Sequence, residues 1–109
     1  MTTIQPGEFW LADIPFTDGS VSKKRPVLLL WLEGADAVVA AVTSASPLSQ
    51  TDVALQEWNQ EGLRKPSVVR LSRLDCLEQS LFIVRLGTIA QVDAQPIVNT
   101  GSHLIKPQF

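Results

Sequence analysis

Two six-residue apolar runs, residues 27–32 and 37–42, are separated only by Glu33, Gly34, Ala35 and Asp36. Neither run is long enough to cross a membrane. The polar break between them is turn chemistry, so the segments around them, 25–32 and 37–43, read as a β-hairpin. Because each run is continuous rather than alternating, the hairpin is expected to be buried on both faces.

The rest of the chain supplies the cover. Residues 8–14 are aromatic and branched and end at Pro15 before the turn-rich Thr17, Asp18, Gly19 and Ser20, a strand followed by a loop. Residues 44–50 read as a loop, 52–55 as a short strand and 59–62 as a turn. The β-branched segments 67–72 and 81–86 read as strands. Asp93 is placed to cap a helix carrying Ala94, Ile97, Val98, Leu104 and Ile105, with Pro96 and Gly101 inside it. About six short strands and a terminal helix imply a mainly β chain, a small, strongly curved antiparallel sheet or half-open barrel. At 109 residues, 45% of them hydrophobic and 18% charged, it is expected to form one domain over 1–109 with a core that needs neither disulfide nor metal. The helix stripe must cover either the barrel mouth or a second subunit, so a homodimer is expected.

Inventory removes several chemistries. The single cysteine, Cys76, forms no internal disulfide and reads as a small buried hydrophobe; its acidic neighbours Asp75 and Glu78 would raise a thiol pKa. One histidine, His103, rules out a two-histidine ribonuclease. No glycine-rich phosphate loop and no zinc spacing occur, so no cofactor and no metal are expected. No basic segment followed by an apolar stretch begins the chain, and a reducing cytoplasm is the simplest compartment, with no membrane association. A net charge of −2 argues against coating nucleic acid by bulk charge. Yet seven of the nine basic residues fall in two short clusters, Lys23–Lys24–Arg25 and Arg64, Lys65, Arg70 and Arg73. Arg25 stands where the first hairpin strand begins, and Thr43 and Ser44 end the second. Antiparallel pairing across the turn at 33–36 brings positions 25 and 43 together, joining a guanidinium to hydroxyls at one end of the sheet. Such a pair suits a phosphate. Trp10 and Trp31 read as core, and Trp58, beside a turn, is the tryptophan placed to stack a base.

Gly7-Glu8-Phe9-Trp10, Thr17-Asp18-Gly19, the run KKRPVLLL over 23–30 and Val42-Thr43-Ser44 occur in an order that resembles PemK/MazF toxins of bacterial toxin–antitoxin systems. Ser67-Val68-Val69-Arg70-Leu71, Leu86-Gly87-Thr88-Ile89 and the terminal helix extend the likeness over nearly the whole chain. The resemblance implies an SH3-like half-open barrel of six to seven strands with a C-terminal helix, dimerising around an RNA groove. It further implies metal-independent cleavage of single-stranded RNA at short sequences. The ribose 2′-hydroxyl attacks the neighbouring phosphate, leaving a 2′,3′-cyclic phosphate and a 5′-hydroxyl. Arg25 and Thr43 match the family's catalytic pair, and Arg70 matches an arginine that assists in some members. Lys23, Lys24, Ser44, Arg70 and Arg73 are the candidate RNA contacts. Where some relatives carry a loop histidine or glutamate and a later aspartate, this chain has Ser20, Val21 and Ser22, and Ser72. Asp18 is then the nearest loop carboxylate for proton transfer. A cognate antitoxin is the implied partner, with operator DNA as a further one. The competing readings are a non-catalytic binding toxin resembling CcdB and a degenerate member acting in operon autoregulation.

Overall fold

The computed structural model describes residues 3–15 and 22–109. Strand β1 is Glu8–Pro15, β2 Ser22–Glu33, β3 Asp36–Thr43, β4 Asp52–Ala54, β5 Val68–Glu78 and β6 Phe82–Thr88; a short 3₁₀ turn, Gln79–Leu81, precedes β6, and helix α1 is Gln91–Leu104. They form a six-stranded sheet in the order β4-β5-β3-β2-β1-β6, antiparallel throughout, which ends in two edges rather than closing. This is the mainly β, half-open architecture with a C-terminal helix expected from the sequence.

The hairpin turns where its polar break lies, Glu33 pairing with Asp36. Gly34 alone takes positive φ there, +61°, the pattern of a II′ turn, whose twist suits flanking strands. Packing on two faces explains the apolar residues 27–30 and 37–42, whereas Leu32, at the end of the first run, is exposed rather than buried. On one face Phe9, Leu28, Ala40, Val42, Val69 and Leu71 meet Leu55, Leu63 and Ile97 from the loops and helix. On the other, Trp10, Val27, Leu29, Val39 and Leu77 pack with Ile4. Consecutive residues such as Phe9 and Trp10 therefore serve opposite cores. Glu8 locks the start of β1: its Oε1 accepts from the Gln5 N–H at 2.8 Å and the Trp10 Nε1–H at 2.9 Å.

Bulges curve the sheet and account for several departures from expectation. Leu30 is the extra residue between the pairs Leu29–Val39 and Trp31–Val38. Beyond it Trp31 is 46% exposed rather than core, its indole N–H donating to Glu33 Oε1 at 2.9 Å. On β5, residues 71–73 are extra between Arg70, opposite Ala41, and Leu74, opposite Ala40. The strand thus continues to Glu78, well past the expected end at 72. Cys76 is exposed, not buried, because this extension has few covering residues. Desolvation, then the carboxylates of Asp36, Glu33 and Asp75, pushes its thiol pKa up.

Asp93 does not cap α1. Ala90 takes the capping position with extended backbone and no side-chain bond, and Asp93, in the first turn, turns its carboxylate to another loop. Of the expected apolar stripe only Ile97 is fully buried; Val98 is exposed.

Candidate functional site

Pro26 sets the geometry. Lacking an N–H, it cannot donate to a ladder, and the β2–β3 pairing runs no further than Val27–Ala41. Arg25 pairs instead with Ala12 on β1. Beyond this last rung Arg25 and Thr43 remain neighbours, because both line the same two clefts. One, of about 490 Å³, runs from them past Ser44 to Gly62, Leu63, Arg64, Lys65 and Ser67, floored by Leu11, Val42 and Leu86. The other, of about 570 Å³, runs past Ala45 to Arg70, Arg73, Leu74 and Asp75. The pair thus stands on the ridge between two depressions, each lined by two further cationic residues.

Their side chains are differently held. Arg25 is exposed on its strand. Thr43 is half-buried, and its Oγ1 accepts from the Ala45 N–H at 3.2 Å, so its own O–H proton is available to donate outward. Arg70 is held more firmly. Its side chain is 16% exposed, its Nε lies 4.0 Å from Asp52 Oδ2, and its Nη2 donates to the Ser46 carbonyl at 3.5 Å. Nε has no hydrogen-bond partner among the described residues.

The structure brings together Arg25, Thr43, Ser44, Arg70 and Arg73 of the sequence candidates. Lys23 and Lys24 are exposed on β2 opposite Ile14 and Asp13, outside both clefts. Asp18, with Ser20 and Val21, lies outside the described residues. Ser22 and Ser72 are exposed and line neither cleft. Trp58 is half-buried against the core rather than presented on the clefts.

Sequence reasoning missed the cleft positions of Arg64, Lys65 and Asp75. The first two were visible as a basic pair, but nothing local says that a turn folds them back toward Arg25. Asp75 lines the second cleft opposite Val39. That is four positions along β3 from Thr43, roughly 13 Å of strand, so it shapes the charge of the far end rather than touching a group held by Arg25 and Thr43. Among the described residues no set of three or more His, Cys, Asp or Glu side chains could hold a metal ion. No described helix is long and apolar enough to cross a membrane.

A half-open antiparallel sheet that places an arginine and a threonine between two clefts lined by basic residues defines a small β protein suited to an anionic ligand. Residues 5–100 match the PemK-like, MazF-like toxins of type II toxin–antitoxin systems, and the chain belongs to that family. Among solved structures it is similar to an endoribonuclease in complex with its cognate antitoxin from a mycobacterial species. There the TM-score is 0.77 at 17% identity, covering 98% of this chain and 100% of that one. A second mycobacterial endoribonuclease gives 0.74 at 17%, covering 100% and 98%. The Mycobacterium tuberculosis toxin MazF-mt6 gives 0.70 at 22%, covering 87% and 93%. These likenesses are of fold. No curated protein matches the sequence.

Proposed function

We propose that the chain is a single-domain ribonuclease toxin that cuts single-stranded RNA at short sequences without a metal ion. The observation that carries this reading is the placement of Arg25 and Thr43 on the ridge between two basic-rimmed clefts, in a chain of this toxin family. RNA lies along the clefts, its scissile phosphate on the ridge. Arg64 and Lys65 meet the backbone on one side, and Arg70 and Arg73 on the other, with Ser44 beside the ridge and Lys23 and Lys24 at the approach.

Chemistry follows from what the ridge supplies. The 2′-oxygen bonds to phosphorus as its proton passes to Asp18, and the bond from phosphorus to the 5′-oxygen breaks, leaving a 2′,3′-cyclic phosphate and a 5′-hydroxyl. Negative charge grows on the non-bridging oxygens of the phosphorane. Arg25 donates hydrogen bonds to these oxygens and keeps its own protons, Thr43 donates an O–H hydrogen bond to a non-bridging oxygen, and the proton taken up by Asp18 returns through solvent to the departing 5′-oxygen. A fixed guanidinium supplies the positive charge that a metal would otherwise bring.

The exposed Ile83 and Val84 on edge strand β6 and Val98 on α1 support a homodimer. A relative solved with its antitoxin supports an antitoxin as partner here, operator DNA being bound with it. Its place is the cytoplasm, where its RNA is.

The test is incubation with a long single-stranded RNA in EDTA beside Arg25→Ala, followed by mapping of the termini. Discrete cuts bearing 5′-hydroxyls, absent in the variant, are expected. Intact RNA together with growth inhibition would replace this reading with a non-catalytic, CcdB-like binding toxin; intact RNA without toxicity, with an autoregulatory member.

A further inference from the structure

Behind the first cleft lies a pair of buried acids. Glu61 is 0% exposed and Asp93 1%. Glu61 Oε2 accepts from the Ala90 N–H at 2.8 Å, but Oε1 is buried with no hydrogen-bond partner among the described residues. The reason is that the side chain acting on it from α1 is the Asp93 carboxyl, an acceptor facing an acceptor. Both Asp93 oxygens are already engaged, by the N–H groups of Gln56 at 2.8 Å and Glu57 at 2.9 Å. Glu57 contributes a further negative charge from the loop, and β6 presents backbone. One proton on Glu61 turns the facing acids into donor and acceptor. Burial first, then Asp93 and Glu57 against the opposing Ala90 N–H, raises its pKa from 4.5 to about 7.

These acids sit at the root of the segment that carries Arg64 and Lys65. Gly62 has φ +93°, and a Cβ on it would fall 2.0 Å from the Leu86 carbonyl oxygen; one on Gly87 would fall 2.4 Å from the Glu61 carbonyl oxygen. The two backbones therefore touch with no side chain between them. Leu63 is anchored in the core, and the next two residues line the cleft.

We propose that Glu61 is a positioning residue for RNA binding: protonated and joined to Asp93 it holds Arg64 and Lys65 over the cleft, and ionised it loosens them. The inference rests on the ribonuclease reading and adds control of RNA affinity by pH. Leu63 keeps the segment from leaving altogether, so the effect is graded and falls on substrate binding.

The experiment measures affinity for a single-stranded oligoribonucleotide in EDTA from pH 5.5 to 8.5, with amide hydrogen exchange of residues 61–65 corrected for intrinsic rate. In the wild-type protein affinity is expected to weaken about tenfold across this range, with protection falling in step. In cleavage assays KM carries the change and kcat does not. Glu61→Gln, whose amide can accept from Ala90 and donate to Asp93, is expected to bind tightly and stay protected throughout. Glu57→Gln removes one neighbouring charge and moves the wild-type midpoint to lower pH. A Glu61→Gln profile that follows the wild type overturns the proposal. Should that variant not fold, an unmoved midpoint in Glu57→Gln overturns it instead. Protection that switches in the wild type and not in Glu61→Gln, with no RNA bound at any pH, overturns the ribonuclease reading while the Glu61 latch stands.

Discussion

Glu61→Gln is expected to make the protein more stable at pH 8 and no more stable at pH 4.5. In the unfolded chain Glu61 loses its proton near 4.5, whereas in the folded protein it keeps it to about 7, burial being the main cause. The folded state thus binds more protons between these values, and stability must fall as pH rises through that window. The contribution is fully present below 4.5 and gone above about 7. At 1.36 kcal/mol per pKa unit, the shift from 4.5 to about 7 amounts to roughly 3 kcal/mol. Relaxation of residues 61–65 makes that a ceiling, so a difference of about 2–3 kcal/mol between variant and wild type is expected at pH 8. For a chain of this length that corresponds to a melting shift on the order of 10 °C. Urea melts of both proteins at pH 4.5, 6, 7 and 8 read it directly, and other titrating groups cancel in the comparison. Two stability curves separated by a constant amount at every pH would refute the reasoning, since Glu61 would then titrate alike in both states.

Arg25→Ala is expected to lower the cleavage rate by about 10²–10³-fold while thermal melting stays within about 0.5 kcal/mol, because the side chain is exposed. Thr43→Val should slow cleavage at unchanged RNA affinity, which single-turnover kinetics would show. Gly62→Ala places a Cβ 2.0 Å from the Leu86 carbonyl oxygen at φ +93°; left-handed strain and a forced backbone shift together are expected to cost more than about 3 kcal/mol in chemical denaturation. Arg64→Ala should reduce the slope of log affinity against log salt by about 0.7 for single-stranded RNA, and an unchanged slope would remove Arg64 from the phosphate path.

What local sequence could show was the strand content and one end of the sheet. Residues 27–30 and the run 37–42 face two cores at once, so hydrophobicity and turn chemistry agree, and the position of Pro26 fixes where Arg25 leaves the β2–β3 ladder. Bulges are a different matter. A single extra residue, Leu30, sends Trp31 to solvent, and no period of two can report an insertion whose cause is sheet curvature. The same holds for residues 71–73, which return Leu71 to the core while Arg73 reaches the second cleft. In sequence Arg73 stands out as a member of a basic cluster, but nothing local says that it shares a cleft with Arg25 and Thr43.

The acid pair was hidden for a further reason. Asn59-Gln60-Glu61-Gly62 has the composition of a solvated turn, and Asp93 before an apolar helical pattern has that of a cap. The turn at 59–62 forms as expected, but Glu61 is drawn inward and Asp93 is taken from the cap position, because in each case a partner some 30 residues away supplies a stronger demand. Gln56 and Glu57 present backbone N–H groups that need acceptors, and Asp93 satisfies both, leaving Ala90 to begin the helix without a side-chain cap. Ala90 in turn offers its N–H to Glu61, drawing that carboxyl inward until it meets the carboxyl already there. The turn and the helix start therefore settle one another's hydrogen bonds. The unsatisfied Oε1 atom is what remains once those bonds are made, and the burial of that carboxyl beside Asp93 gives the structural joint a dependence on pH.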